Sequence, residues 1–233
     1  MPQIDLIIFD CDGVLVDSEY LAAKIGSQLI TQTGYEISPE ELSKRYAGLI
    51  FCDILKQIEK ETEKPISAHL IDQMSDLFRA QIKTELHAID GIREAIEIIQ
   101  TRYPYCICSN AKSTDIKEML TTVDLYDLFD GKDKIFSAPE VGTKKTKPAP
   151  DVFLFTAQQL HVKPTNTIVI EDSLHGVHAA SAAGMRVIGF TGGSHSYLGH
   201  SNVLAEAGAE TVIAKHAHLG EVLEAMAVWR DLP

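Results

Sequence analysis

Three pairs of polar side chains, far apart in the chain but each standing just after an apolar run, carry the chemistry of this sequence. Asp10 and Asp12 follow the run Ile4–Phe9, Ser109 and Asn110 follow Tyr105–Cys108, and Glu171 and Asp172 follow Thr167–Ile170. Lys147, in Lys144-Lys145-Thr146-Lys147-Pro148, stands just before a helix start. Four carboxylates on one rim repel each other, because like charges a few Å apart disfavour joint ionisation. A hard divalent cation relieves that repulsion. Mg²⁺ takes a few carboxylate or carbonyl oxygens, keeps waters and commonly bridges to a phosphate. A hydroxyl (Ser109), an amide (Asn110) and an ammonium (Lys147) are suited to the remaining oxygens of a phosphoryl group. The set reads as metal-assisted phosphoryl transfer without a Gly-rich nucleotide loop.

Such a rim needs a scaffold that ends several strands together. Open parallel sheets bind ligands at the carboxyl ends of their strands, and the apolar runs read as strands buried on both faces. After Gly91 helical and strand patterns alternate. Helices are expected over about 92–101, 113–122 (with Ser113 as N-cap), 151–160 and 174–183, the last stopped by Gly184. Further strands are expected near 134–136, 186–190 and 211–214. From about Ser18 to His87 the pattern is only helical, with Leu21, Ile25 and Leu29 on one face, then Ile54, Leu55 and Ile58, then Leu70, Ile71, Met74 and Leu77. The expected fold class is therefore α/β: a Rossmann-like parallel sheet core, residues 1–16 and 88–233, with an all-helical cap inserted at 17–87.

Composition is that of an ordinary globular protein. The chain has 233 residues, 45% hydrophobic and 23% charged, with 21 Lys+Arg against 33 Asp+Glu and a net charge of −12. That excess of acid speaks against nucleic acid or an anionic membrane as partner, and no stretch approaches the ~20 apolar residues of a membrane span. Met1–Asp5 lacks the basic start and apolar run of a signal peptide. Cys11, Cys52, Cys106 and Cys108 show no zinc or disulfide spacing, which fits a reducing cytoplasm.

Phe9-Asp10-Cys11-Asp12-Gly13-Val14-Leu15-Val16-Asp17-Ser18 resembles the first motif of the haloacid dehalogenase superfamily. Ser109-Asn110, Lys147-Pro148 and Glu171-Asp172-Ser173 resemble its second, third and fourth motifs, in order. The resemblance covers essentially the whole chain. It implies that Asp10 is the nucleophile, forming an aspartyl-phosphate. Asp12 would be the general acid and then the general base. The resemblance places Mg²⁺ on Asp10, the backbone carbonyl of Asp12 and Asp172, with Glu171 nearby or acting through water. Ser109, the backbone near Asn110, and Lys147 would hold the phosphoryl oxygens. The implied activity is a phosphatase of a small phosphorylated metabolite, closest to the sugar-phosphate and 6-phosphogluconate types. Cap residues read the leaving group in this superfamily; Lys44, Arg45, Gly48 and Phe51 are the expected specificity residues.

Other readings fit less well. A calcium loop with Gly13 sixth puts Glu19 twelfth, but its first ligand would be Ile8, which offers no oxygen. Receiver modules lack an acid two residues after the nucleophile. The alternative within the superfamily is a sugar phosphomutase of the β-phosphoglucomutase type. That group carries a histidine where this chain has Ala22 and a phosphate-gripping arginine where it has Phe51. His175 and His178 read as structural or solvent-facing, His195 and His200 as residues of a loop near the fifth strand end without an assigned role, and Cys11 as an inert buried thiol.

Overall fold

The tetrapeptide Leu6–Phe9 forms β1, buried throughout. It lies between β2 (Tyr105–Ser109) and β4 (Thr167–Glu171), both parallel to it. The computed structural model describes residues 4–46, 49–63 and 65–228. With β3 (Ile135–Ser137), β5 (Arg186–Phe190) and β6 (Thr211–Ile213), the strands make a six-stranded parallel sheet of order β3-β2-β1-β4-β5-β6. Phe9 is level with Ile107 of β2 and Ile170 of β4. The residues that follow these positions therefore leave the sheet on one rim. Strand alternation sorts the apolar side chains into two layers: Ile7, Phe9, Ile107, Ile170 and Ile188 pack on one face, and Leu6, Ile8, Cys106, Val169 and Val187 on the other.

Four helices separate β1 from the rest of the sheet in sequence: α1 (Ser18–Thr31), α2 (Pro39–Arg45), α3 (Phe51–Thr62) and α4 (His69–Glu85). Helix α2 starts as capping chemistry requires, with the Ser38 hydroxyl accepting from the Glu41 N–H at 3.1 Å and Pro39 at its first position. Leu21, Ile25 and Leu29 of α1 are buried among Ile54, Leu55 and Ile58 of α3 and Leu70 and Ile82 of α4. The block joins the core through two adjacent crossings. The Asp17 N–H donates to the His87 carbonyl and the Ile89 N–H to the Leu15 carbonyl, both at 3.0 Å, and Val16 and Ala88 form an antiparallel bridge. Leu15, Val16, Leu86 and Ile89 make the apolar layer continuous across these crossings.

Beyond them come α5 (Ile92–Ile99), α6 (Ser113–Thr122), α7 (Tyr126–Phe129), α8 (Asp151–Gln159), α9 (Leu174–Ala182), α10 (His200–Glu206) and α11 (Leu219–Val228). Gly184 ends α9 region with φ +75°, a conformation that favours glycine. Ser113 is not the N-cap of α6 but its first residue: Lys112 holds the extended cap position, and the Ser113 N–H donates to Glu140 Oε2 at 3.3 Å. Helices α7, α10 and α11 lack a sequence-based counterpart, and His200 stands in α10 instead of a loop. Among the described residues no helix is long and apolar enough to cross a membrane. Cys11, Cys106 and Cys108 are buried free thiols, and burial pushes Cys11 well above its ordinary value, as an inert side chain requires.

Candidate active site

At the rim the centre of charge is Lys147. Its ammonium is buried and uses three donors on three acceptors: Asp10 Oδ1 at 2.7 Å, Glu171 Oε2 at 2.7 Å and the Cys108 carbonyl at 2.9 Å. Burial works against the charge on Lys147, but Asp10 and Glu171 outweigh it and hold its pKa above the usual lysine value. Burial raises Asp10 well above the carboxylate range, helped by Glu171 and opposed by Lys147. Burial also raises Glu171, again against the pull of Lys147. The other Glu171 oxygen accepts from the Ser173 hydroxyl at 2.7 Å, and Ser173 caps α9 through the Gly176 N–H at 3.0 Å. Gly176 must be bare, because a Cβ there would lie 1.9 Å from the Glu171 carboxyl carbon.

Asp12 stands beside this centre, not within it. Its Oδ1 accepts from Ser18 at 2.7 Å and its Oδ2 from Ser109 at 3.2 Å. Burial raises its pKa in spite of both hydroxyls. The Asn110 side chain turns to the main chain of Lys147. Its Oδ1 accepts from the Lys147 N–H at 2.8 Å and its Nδ2 donates to the Lys147 carbonyl at 3.4 Å. The amide is committed to fixing the main chain of Lys147, because an asparagine can match the donor and acceptor of one residue together.

Asp172 reaches the rim over Gly13, whose φ is +74° and where a Cβ would fall 1.9 Å from Asp172 Oδ2. That Oδ2 accepts from His195 Nε2 at 2.9 Å. Burial lowers the His195 pKa, but the hydrogen bond and charge of Asp172 prevail and raise it. Glu19, on the first turn of α1, has an exposed surface, yet its carboxyl is pushed up to about 7 by desolvation at the crowded rim and by Asp12 and Asp172. Sequence reading missed the contacts of His195, Ser18 and Ser173. Only the position of His195 after the fifth strand hinted at the first of these.

The donor set suits a divalent cation. Carboxylate oxygens of Asp10, Glu171 and Asp172 lie within 4.8 Å of one another, all three residues are buried, and no other such group occurs among the described residues. All the donors are hard oxygens. Asp10 Oδ2 and Asp172 Oδ1 accept no hydrogen bond from the described residues, whereas both Glu171 oxygens are taken. The side chain of Asp12 is outside the group. Among the described residues, His175 and His178 belong to no metal-holding group.

The cap residues divide. The Arg45 guanidinium is turned within the cap, donating to Tyr35 Oη at 2.7 Å and pairing with Glu61 at 2.8 Å. Phe51 packs against α1, its ring 3.1 Å from where a Gly26 Cβ would sit. Both hold α2 and α3 against the rest of the cap. Lys44 is exposed on α2. Gly48 lies outside the described residues.

The likeness to known proteins matches this geometry. The haloacid dehalogenase-like hydrolase family pattern spans residues 7–190. Escherichia coli 6-phosphogluconate phosphatase is 27% identical over 84% of this chain and 86% of its own. A conserved haloacid dehalogenase-like protein of unknown function from Agrobacterium tumefaciens is 48% identical, with a TM-score of 0.91 over 96% of this chain and 99% of that one. A family hydrolase from Deinococcus radiodurans, solved with bound phosphate and sodium, is 28% identical, with a TM-score of 0.84 over 98% and 99% of the two chains. With its motifs gathered on one rim of a parallel sheet, this chain belongs to the haloacid dehalogenase-like hydrolases.

Proposed function

We propose that the protein is a Mg²⁺-dependent phosphatase of a small phosphorylated metabolite, a sugar or sugar-acid phosphate, acting through an aspartyl-phosphate. The observation that carries this is the buried Asp10–Lys147–Glu171 chain with Asp12 beside it. Asp10 attacks phosphorus with one carboxylate oxygen while the ester O–P bond breaks, and its other oxygen, held by Lys147, would be the one offered to the cation. Asp12 delivers its proton to the leaving alkoxide, and Ser18 and Ser109 then stabilise the carboxylate it becomes. In the second half Asp12 takes a proton from water, which attacks the aspartyl-phosphate and returns Asp10 and free phosphate. Ser109 and Lys147 neutralise charge on the phosphoryl oxygens. Asp10, Asp172 and the Asp12 carbonyl would hold Mg²⁺, which would supply charge to polarise the phosphoryl group and screen the carboxylates.

The names of the relatives support a sugar-type substrate. Ala22 and Phe51 argue for hydrolysis over the mutase reaction, since neither can supply the proton shuttle or the phosphate grip that a mutase needs. The test is free-phosphate release across a panel of sugar and sugar-acid phosphates, with Mg²⁺ and with excess EDTA. The panel includes β-glucose 1-phosphate with catalytic β-glucose 1,6-bisphosphate. Turnover that needs Mg²⁺, with phosphate as the main product, is expected. Full turnover in EDTA overturns the metal dependence, and glucose 6-phosphate forming much faster than phosphate makes the enzyme a mutase.

A further inference from the structure

His195 lies outside the four motifs, on the turn between β5 and α10, yet its ring is built into the rim. The ring sits in a slot that only glycines leave open. A Cβ at Gly13 would meet His195 Cε1 at 2.9 Å, and one at Gly193 would meet both Cε1 and Nδ1 at 2.7 Å. Nε2 is 2.9 Å from Asp172 Oδ2, and Nδ1 is buried without a partner. A carboxylate oxygen accepts, so Nε2 carries a hydrogen toward Asp172. The preceding residue fastens the turn: the Ser194 N–H donates to Asp17 Oδ1 at 3.0 Å. Asp17 begins α1 without capping it. The turn is thus pinned to the start of the cap on one side and to Asp172 on the other.

We propose that His195 is a positioning residue for the metal site: its Nε2–H fixes Oδ2 of Asp172 and leaves Oδ1 as the oxygen offered to the cation. This rests on the reading of Asp172 as a metal ligand. An outer partner that orients a ligating carboxylate typically changes metal affinity by about 10–100-fold. A histidine that only filled space would change stability instead.

The experiment is direct Mn²⁺ binding to the metal-free full-length protein, followed by the loss of the free-ion paramagnetic resonance signal, with thermal unfolding of the same samples. His195→Ala, and His195→Asn whose amide is too short to reach Oδ2, are expected to bind Mn²⁺ about 10–100-fold more weakly than wild type. His195→Gln, which can place an N–H near the Nε2 position, should stay within about threefold of wild type. Wild-type affinity in the Ala and Asn variants overturns the proposal, as does a Gln variant as weak as the Ala one. A wild-type protein that binds no Mn²⁺ overturns the metal reading itself and this inference with it.

Discussion

The Asp10–Lys147–Glu171 chain shows how one residue type can be both structural and reactive. Lys147 has every donor satisfied inside the protein, so removing it leaves two buried carboxylates facing each other. Breaking a buried pair from one side costs about 3–5 kcal/mol. Lys147→Ala is accordingly expected to lose that order of stability in urea unfolding without metal, together with its phosphatase activity. Asp12 permits a finer test. Asp12→Ala should slow single-turnover cleavage of an alkyl phosphate far more than that of an activated aryl phosphate, whose leaving group needs little protonation. Equal losses for the two substrates count against Asp12 as the acid. Replacing Asp10 should abolish turnover with both, since the rim holds no second carboxylate with a free oxygen in the nucleophile's place.

At the scale of elements, small residues let the loops close over the strand ends. Gly13 combines φ +74° with the closest approach of Asp172. Gly13→Ala should therefore weaken Mn²⁺ binding at least about tenfold, because Asp172 must move. The segment from β6 to α11 closes the opposite side through His216, whose Nε2–H donates to the Val14 carbonyl at 2.8 Å while its ring stacks on Phe190. Burial pushes His216 down to about 4, with the Val14 bond opposing. In the unfolded chain it titrates near 6.5. Between these values the unfolded state binds the extra proton, so this contribution is full above about pH 6.5 and is lost as pH falls toward 4. Between pH 7 and pH 5 the loss from this group is about 2 kcal/mol. Denaturant unfolding at the two pH values should show a smaller difference in His216→Phe than in wild type.

For the whole molecule, the helical block at 17–87 is tied to the core by only two neighbouring crossings, and α4 meets α6 beside them. That arrangement suits rotation about the Val16–Asp17 and His87–Ala88 crossings, which would exclude water during phosphoryl transfer. The apolar layer running through Leu15, Val16, Leu86 and Ile89 keeps the hinge itself packed. Small-angle scattering with Mg²⁺ and vanadate is expected to show a smaller radius of gyration than the protein alone. An unchanged radius argues for a fixed cap.

The strands and most helices were legible in the sequence because their signals are local: unbroken apolar runs for β1, β2 and β4, and a 3.6-residue apolar period for α1 and α3. All the motif residues but Lys147 were legible for the same reason, since they stand just after such a run; Lys147 was legible from the Pro148 and helix start that follow it. α7 and α10 were not, because four to seven residues give too little periodicity to read. Which side chains meet was decided by the tertiary structure alone. Asn110 clamps the main chain of Lys147, thirty-seven residues on, and Arg45, whose direction the sequence left open, pairs with Glu61. His195 joined the rim from a loop without any pattern around it. The sequence by itself determined the sheet, its chemical rim and the family. Only packing decided how each polar group is satisfied, because a buried donor takes whatever acceptor the fold brings within about 3 Å, however distant in the chain.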